Sequence, residues 1–236
     1  MGIKTKFYSK KEIAENYLDF RYGGESGKLI LEEENSALQE FLPGNQISTV
    51  LDVPVGIGRI SHLLKKYKKR IGADYSEEML YKAKNKNYTS LVRCDAKYIP
   101  MDEQSVDIIV SLRFFLHYNL IDPFLREYHR LLKNKGILIF DTVQWSPRSI
   151  QPEESKLLGG KVYIHPRKDI IQLLKSNGFE LVNQKNRFIL PNFFYHFIPY
   201  SLVKALLKIE KSVPDKFKIT TFWKFRKNNY SNIKRY

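Results

Sequence analysis

The chain has 236 residues, 40 of them Lys or Arg against 25 Asp or Glu, for a formal net charge of +15. That length fits one full α/β domain better than two generous ones, and a hydrophobic fraction of 43% with a charged fraction of 28% is that of a globular protein and does not indicate disorder. The one cysteine, Cys94, excludes an internal disulfide framework. It fits a reducing compartment, and with a start (Met1-Gly2-Ile3-Lys4) that lacks an apolar secretion segment the expected location is the cytoplasm. The positive charge is read mainly as a lysine-rich solvated surface. No zinc-finger spacing, RNA-recognition aromatic motif or strong helix-turn-helix signal points to a nucleic-acid partner, and no metal is expected.

In chain order, Lys10 to Leu42 reads as two helices around Arg21-Tyr22-Gly23-Gly24, with Ile13, Tyr17 and Phe20 and then Leu31, Leu38, Phe41 and Leu42 at helical spacing. Thr49-Val50-Leu51-Asp52 is an apolar run that ends in an acid, passes through Gly56-Ile57-Gly58, and continues into a helical pattern of Ile60, Leu63, Leu64 and Tyr67. That order is how a nucleotide-type cofactor is gripped at the first strand-to-helix turn of a doubly wound sheet. Gly56 and Gly58, without Cβ, allow unusual backbone angles and a close approach by a ligand. The third glycine of a dinucleotide fingerprint is replaced by Ser61, and Asp52 suits an ammonium group better than a pyrophosphate, so a ligand with an amino-acid part fits best. Pro54 stands at a turn position that must need neither a positive φ nor an N–H donor.

Lys65 to Arg70 reads as a solvated helix end. A second strand follows at Arg70-Ile71-Gly72-Ala73-Asp74, then Tyr75 and a helix capped by Ser76 with Glu77 and Glu78 in its first turn. Cys94-Asp95-Ala96 and the mostly apolar run Ser105 to Ser111 follow. Asp122 and Pro123 are expected as N-cap and first residue of a helix with the stripe Phe124, Leu125, Tyr128, Leu131 and Leu132, on which His129 faces solvent. A buried fifth strand runs from Gly136 to Asp141, and a long loop from Gln144 to Lys161. A helix from His165-Pro166 to Leu174 leads to a sixth strand at Phe179 to Val182. Ser201 to Ser212 reads as a short amphipathic helix, with Leu202, Ala205, Leu206 and Ile209 on one side and lysines elsewhere, before a final strand at Ile219 to Phe225.

The ordered series Asp52 to Gly58, Arg70 to Leu80, Cys94 to Ala96 and Ser105 to Ser111 resembles the motifs of class I S-adenosylmethionine-dependent methyltransferases. The resemblance covers roughly Ile47 to Val143 and extends less regularly over most of the chain; Pro54 departs from the glycine common in the family. It implies an α/β fold with a doubly wound, mostly parallel seven-stranded sheet, an N-terminal helical cover over residues 1–45, a cofactor-binding core at 46–187, and a helical insertion with the final strand at 188–236. It also implies S-adenosylmethionine as donor and S-adenosylhomocysteine as product. Cofactor contacts then fall on Asp52, Pro54, Gly56 and Gly58, on Asp74 for the ribose hydroxyls, on Asp95 and Ala96 beside the adenine, and on Ser111 after the fourth strand. Tyr75 or Met79 would lie against the adenine, Met79 otherwise packing in the core. Tyr17 and Arg21 match the N-terminal cover, with Arg21 either forked onto the cofactor carboxylate or simply a surface arginine before a turn.

Ser111 to Tyr118 lies where strand ends line the crevice. His117 there is either a proton acceptor for a substrate hydroxyl or a structural histidine, and Arg113 could hold an anionic substrate group or the cofactor end. The absence of an Asn/Asp-Pro-Pro-Tyr motif disfavours DNA adenine and protein glutamine, leaving a small molecule, sugar or lipid-linked intermediate methylated on O or N. A non-catalytic binding module on the same fold, and a nicotinamide-dependent oxidoreductase, are the alternatives. From Ser201 to Tyr236 there are ten Lys or Arg against two acids. That basic end either packs over the acceptor site or touches an anionic membrane surface.

Overall fold

The structure is a computed structural model that describes residues 11–44, 49–155 and 160–228. Ile47, the side chain of Phe20, the start of the chain and its basic end beyond 228 lie outside the described residues. Three helices open the described chain: α1 (Lys11–Glu15), α2 (Tyr17–Tyr22) and α3 (Gly24–Phe41). The alternating core follows as β1 (Thr49–Asp52), β2 (Lys69–Asp74), α4 (Glu77–Ala83), β3 (Ser90–Arg93), β4 (Val106–Ser111), α5 (Asp122–Leu131), β5 (Leu132–Val143), α6 (Arg167–Ser176) and β6 (Phe179–Arg187). Two further helices, α7 (Asn192–Tyr195) and α8 (Tyr200–Glu210), precede β7 (Thr220–Lys227).

The seven strands order as β3-β2-β1-β4-β5-β7-β6. Pairings from β3 through β5 are parallel, and β7 runs antiparallel between β5 and β6. The chain reverses strand order at β1 and β4, and the carboxyl ends of these strands open the crevice that such a switch creates. All four residues of β1 are buried, which is why it reads as a continuous apolar run. Successive side chains feed opposite layers. Leu51, Ile109 and Phe140 pack beneath α5 with Phe124, Tyr128 and Trp223. Val50, Ile108 and Ile139 pack beneath α3 with Ile30, Leu38 and Phe41.

Local chemistry departs from expectation in four places. The helix expected after Gly58 is a succession of tight turns, in which Ser61, Leu63, Leu64 and Tyr67 each donate to the carbonyl three residues back. Gly58 at φ +76° cannot start a right-handed helix, yet Ile60, Leu64 and Tyr67 still bury their side chains. The N-cap of α5 is Ile121, so Asp122 is the first helical residue and its carboxylate pairs instead with Arg126 and the Asn177 amide. His129 does not face solvent: its ring sits edge-on to Phe179 at 5.4 Å, and burial lowers its pKa to about 4. In α8 the inward face is Val203, Leu207 and Glu210, which leaves Leu202 and Ile209 outside. Ser76 caps α4 as expected, accepting from the Met79 N–H at 3.2 Å.

Candidate active site

Beyond β1 the chain is laced to both neighbouring strands. The Val53 N–H donates to the Val110 carbonyl at 2.9 Å and the Val55 N–H to the Ala73 carbonyl at 2.8 Å. The Gly56 N–H donates to Asp74 Oδ2 at 2.8 Å, and Asp74 Oδ1 accepts the Ser76 N–H at 2.9 Å. Asp74 therefore fixes the turn as well as facing the crevice; burial raises its pKa against the pull of these donors. Pro54 follows a cis peptide. Gly56 has φ +53°, and a Cβ there would meet nothing within 4 Å, so this backbone borders open space. At Gly58 the Cβ would lie 2.9 Å from Lys86 Cγ and 3.1 Å from the Tyr88 ring. The glycine is what lets Tyr88 close in, and the Tyr88 hydroxyl donates to Asp52 Oδ2 at 2.5 Å. Even with that donor, desolvation pushes the Asp52 carboxyl up to about 8.

Asp52, Pro54, Val55, Gly56, Asp74 and Ser76 line a cavity of about 630 Å³, within the usual range for small-molecule sites. Of the residues expected at the site, it brings together Tyr17, Asp52, Pro54, Gly56, Asp74, Tyr75, Met79, Asp95, Ala96, Arg113 and His117. Met79 packs with Ala14 and Ile57 and also lines the cavity. Three stand elsewhere. Ser111 is fully buried, 3.2 Å from the Tyr128 hydroxyl. Gly58 serves Tyr88, and Arg21 lies off the cavity with its guanidinium 5.9 Å from the Tyr17 ring centre.

One stretch of the cavity wall is electrostatically distinct. Arg113, at φ +58°, donates its N–H to Asp141 Oδ1 at 2.5 Å and brings its guanidinium to 3.7 Å from Asp141 Oδ2. Arg59 lies 3.2 Å from Glu34 Oε2, and Arg113 lies 4.0 Å from Glu34 Oε1. Glu34 also accepts from the Tyr22 hydroxyl at 2.6 Å and the Asn192 amide at 2.5 Å. Two buried carboxylates thus hold two guanidinium groups at the cavity wall, beside His117 and Tyr118. Burial raises the Tyr118 phenol to about 12, so it is a neutral donor. Tyr88, Arg59, Glu34 and Asp141 were not singled out in the sequence. Glu34 had left a signal, a charged residue on the helical stripe of Ile30, Leu38 and Phe41.

Residues 51–140 match the model of a family described as a methyltransferase domain. Over those residues the chain carries a methyltransferase domain, on the fold of the S-adenosylmethionine-dependent methyltransferases. It is 27% identical over 234 residues to an uncharacterized protein of Methanocaldococcus jannaschii, covering 85% of this chain and 88% of that one. It is 29% identical over 174 residues to a malonyl-[acyl-carrier protein] O-methyltransferase of Marinomonas sp., covering 69% of this chain and 59% of the relative. The fold matches magnesium protoporphyrin IX methyltransferase of Synechocystis PCC 6803, solved with bound S-adenosylhomocysteine, at a TM-score of 0.64 and 14% identity over 95% of this chain and 97% of that one.

The methyltransferase cofactor, S-adenosylmethionine, fits the residues present. A desolvated acid at Asp52, held protonated up to about pH 8, is the group an ammonium would relieve. The open side of Gly56 leaves room for close approach to the main chain, and Asp74 has lone pairs left on both oxygens for hydroxyl donors. Ile57 and Met79, packed against each other, supply an apolar stretch of the cavity wall.

Proposed function

We propose that this enzyme methylates an O or N nucleophile of a small acceptor that carries an acidic group, taken up at the Arg113 and His117 end of the cavity. The observation that carries the reading is the continuity of one cavity from Asp52 and Asp74 to Arg113 and His117. S-adenosylmethionine supplies an electrophilic methyl on a sulfonium, so no metal and no covalent enzyme intermediate is needed. Asp52 and Asp74 would hold its ammonium and ribose hydroxyls. Arg59, rather than Arg21, would meet its carboxylate, because Arg59 lines the cavity and Arg21 does not. The chain's remaining task is positioning in a dry site, which can account for much of the rate.

Arg113 suits an acceptor carboxylate or phosphate, since a guanidinium matches those groups in two-pronged geometry. The malonyl group in the name of the Marinomonas relative is such an acid. A carboxylate acceptor is already nucleophilic at neutral pH, and His117 would then orient it; a hydroxyl acceptor would need His117 to take its proton. The test is transfer of labelled methyl from S-adenosylmethionine to paired acceptors: malonyl thioesters and simple carboxylic acids, their neutral amides, and hydroxyl and amine compounds of lipid or sugar type. Transfer favouring the anionic member of each pair, lost in Arg113→Ala, supports the reading. Equal transfer to charged and neutral members refutes the acidic acceptor, and no transfer to any of them refutes the small-molecule assignment.

A further inference from the structure

The segment between β6 and β7 carries a surface that methyl transfer does not use. Helix α8 is pinned by Val203 and Leu207 beneath it and by Arg187, which bonds Glu210 at 2.7 Å and Glu33 of α3 at 2.5 Å. Its outer side is split lengthwise. Leu202 and Ile209, 51% and 57% exposed, fall on one flank, and Lys204, Lys208 and Lys211 on the other. Phe197 before the helix and Phe217 after it are 72% and 61% exposed. Lys204, Lys208, Lys211 and Lys216 form no ion pair with any described acid. The two acids of the segment are spent internally, Glu210 on Arg187 and Asp215 on Lys218 and Asn186. No described helix is long and apolar enough to cross a membrane.

We propose that this face docks peripherally on an anionic phospholipid membrane, with Leu202, Ile209, Phe197 and Phe217 entering the headgroup boundary and the lysines meeting lipid phosphates. Apolar side chains flanked by lysines with nothing to neutralise them are the pattern of a helix lying in an interface, where long lysine stems can reach back to the charged layer. A second copy of the chain is a poorer occupant, because the same face repeated brings no free acid to the lysines, Glu210 and Asp215 being already engaged. The docked segment is one hydrogen bond from the acceptor end of the cavity, since Asn192 of α7 donates to Glu34, the partner of Arg59 and Arg113. The docking surface itself does not depend on the acceptor's identity.

The experiment is sedimentation of the full chain with vesicles of phosphatidylcholine alone or with one third phosphatidylglycerol, at low and high salt. Binding should be at least tenfold stronger to the anionic vesicles and should weaken at high salt. Leu202→Glu/Ile209→Glu should abolish it, and Lys204→Gln/Lys208→Gln should weaken it by roughly 30-fold, taking about 1 kcal/mol for each lysine near a charged surface. All four positions are exposed, and an unchanged thermal melt establishes that each variant is folded. Absence of wild-type binding, equal binding to neutral vesicles, or binding unaltered in both variants would each overturn the proposal. So would a concentration-dependent dimer, broken by Leu202→Glu/Ile209→Glu, in a protein that ignores vesicles. Sedimentation is independent of turnover, so failure of the acceptor assignment leaves this result standing.

Discussion

Replacing Asp52 by asparagine removes one charge from the floor of the cavity while keeping an oxygen to accept the Tyr88 hydroxyl, now 2.5 Å from Oδ2. A hydrogen bond to a charged partner is worth about 1.5–3 kcal/mol, so the variant should lose roughly 10- to 150-fold in affinity for S-adenosylhomocysteine where Asp52 is ionised. That loss must depend on pH. With the Asp52 carboxyl pushed up to about 8, the wild-type protein has to release a proton before it can face an ammonium as an anion. At pH 6 this costs about 2.7 kcal/mol, enough to cancel most of the advantage over asparagine. Above pH 8 the ligand's own α-amino group begins to lose its proton, and affinity falls again. Calorimetric titration from pH 6 to 9.5, in buffers of different ionisation enthalpy, reads both quantities. Wild-type affinity should peak near pH 8 with close to one proton released per binding event at pH 6 to 7; Asp52→Asn should be flat below pH 8 with none released. Parallel pH profiles and equal proton counts in the two proteins would refute the pairing of Asp52 with the ammonium.

The same carboxyl makes a prediction about folding. Its pKa is higher folded than unfolded, so the folded state binds more protons between about pH 4 and 8 and stability falls as pH rises through that window. Asp52→Asn should flatten the fall in a series of thermal melts, and an unchanged slope would count against the buried acid. Glu34→Gln strips the shared anion from Arg59 and Arg113, and urea denaturation should record a loss of about 3–5 kcal/mol; a loss below 1 kcal/mol would mean that Asp141 alone compensates both cations. Gly58→Ala should cost about 1–2 kcal/mol for its positive φ and also weaken cofactor binding by displacing Tyr88, whereas stability loss with normal affinity would separate Tyr88 from the site. His117→Ala should lower kcat while leaving the Kd for S-adenosylhomocysteine within about threefold, as the acceptor role proposed for His117 requires; a large change in Kd would refute that role.

The sheet and the part of the cavity wall built by the turn after β1 were legible because each rests on a short stretch of chain. An apolar run buried on both faces, an acid at its end and glycines with positive φ are local requirements, met within Thr49 to Gly58 and again at Asp74. Local chemistry did not settle how the segment after Gly58 would coil, since Ile60, Leu64 and Tyr67 bury equally well on a helix or on a row of tight turns. Nor did periodicity settle which side of α8 faces in. A helix with leucines around much of its circumference has its orientation chosen by the partner that binds it, here Arg187 gripping Glu210.

What the sequence determined by itself is the fold and the turn that walls one side of the cavity, because strand pattern, turn glycines and strand-end acids act over neighbouring residues. The tertiary structure alone decided that Glu34 and Asp141, more than a hundred residues apart, would hold Arg59 and Arg113 at one cavity wall, and that Tyr88 would reach Asp52. Buried charges need partners wherever the chain can supply them, and which distant segments meet is settled only when the layers pack.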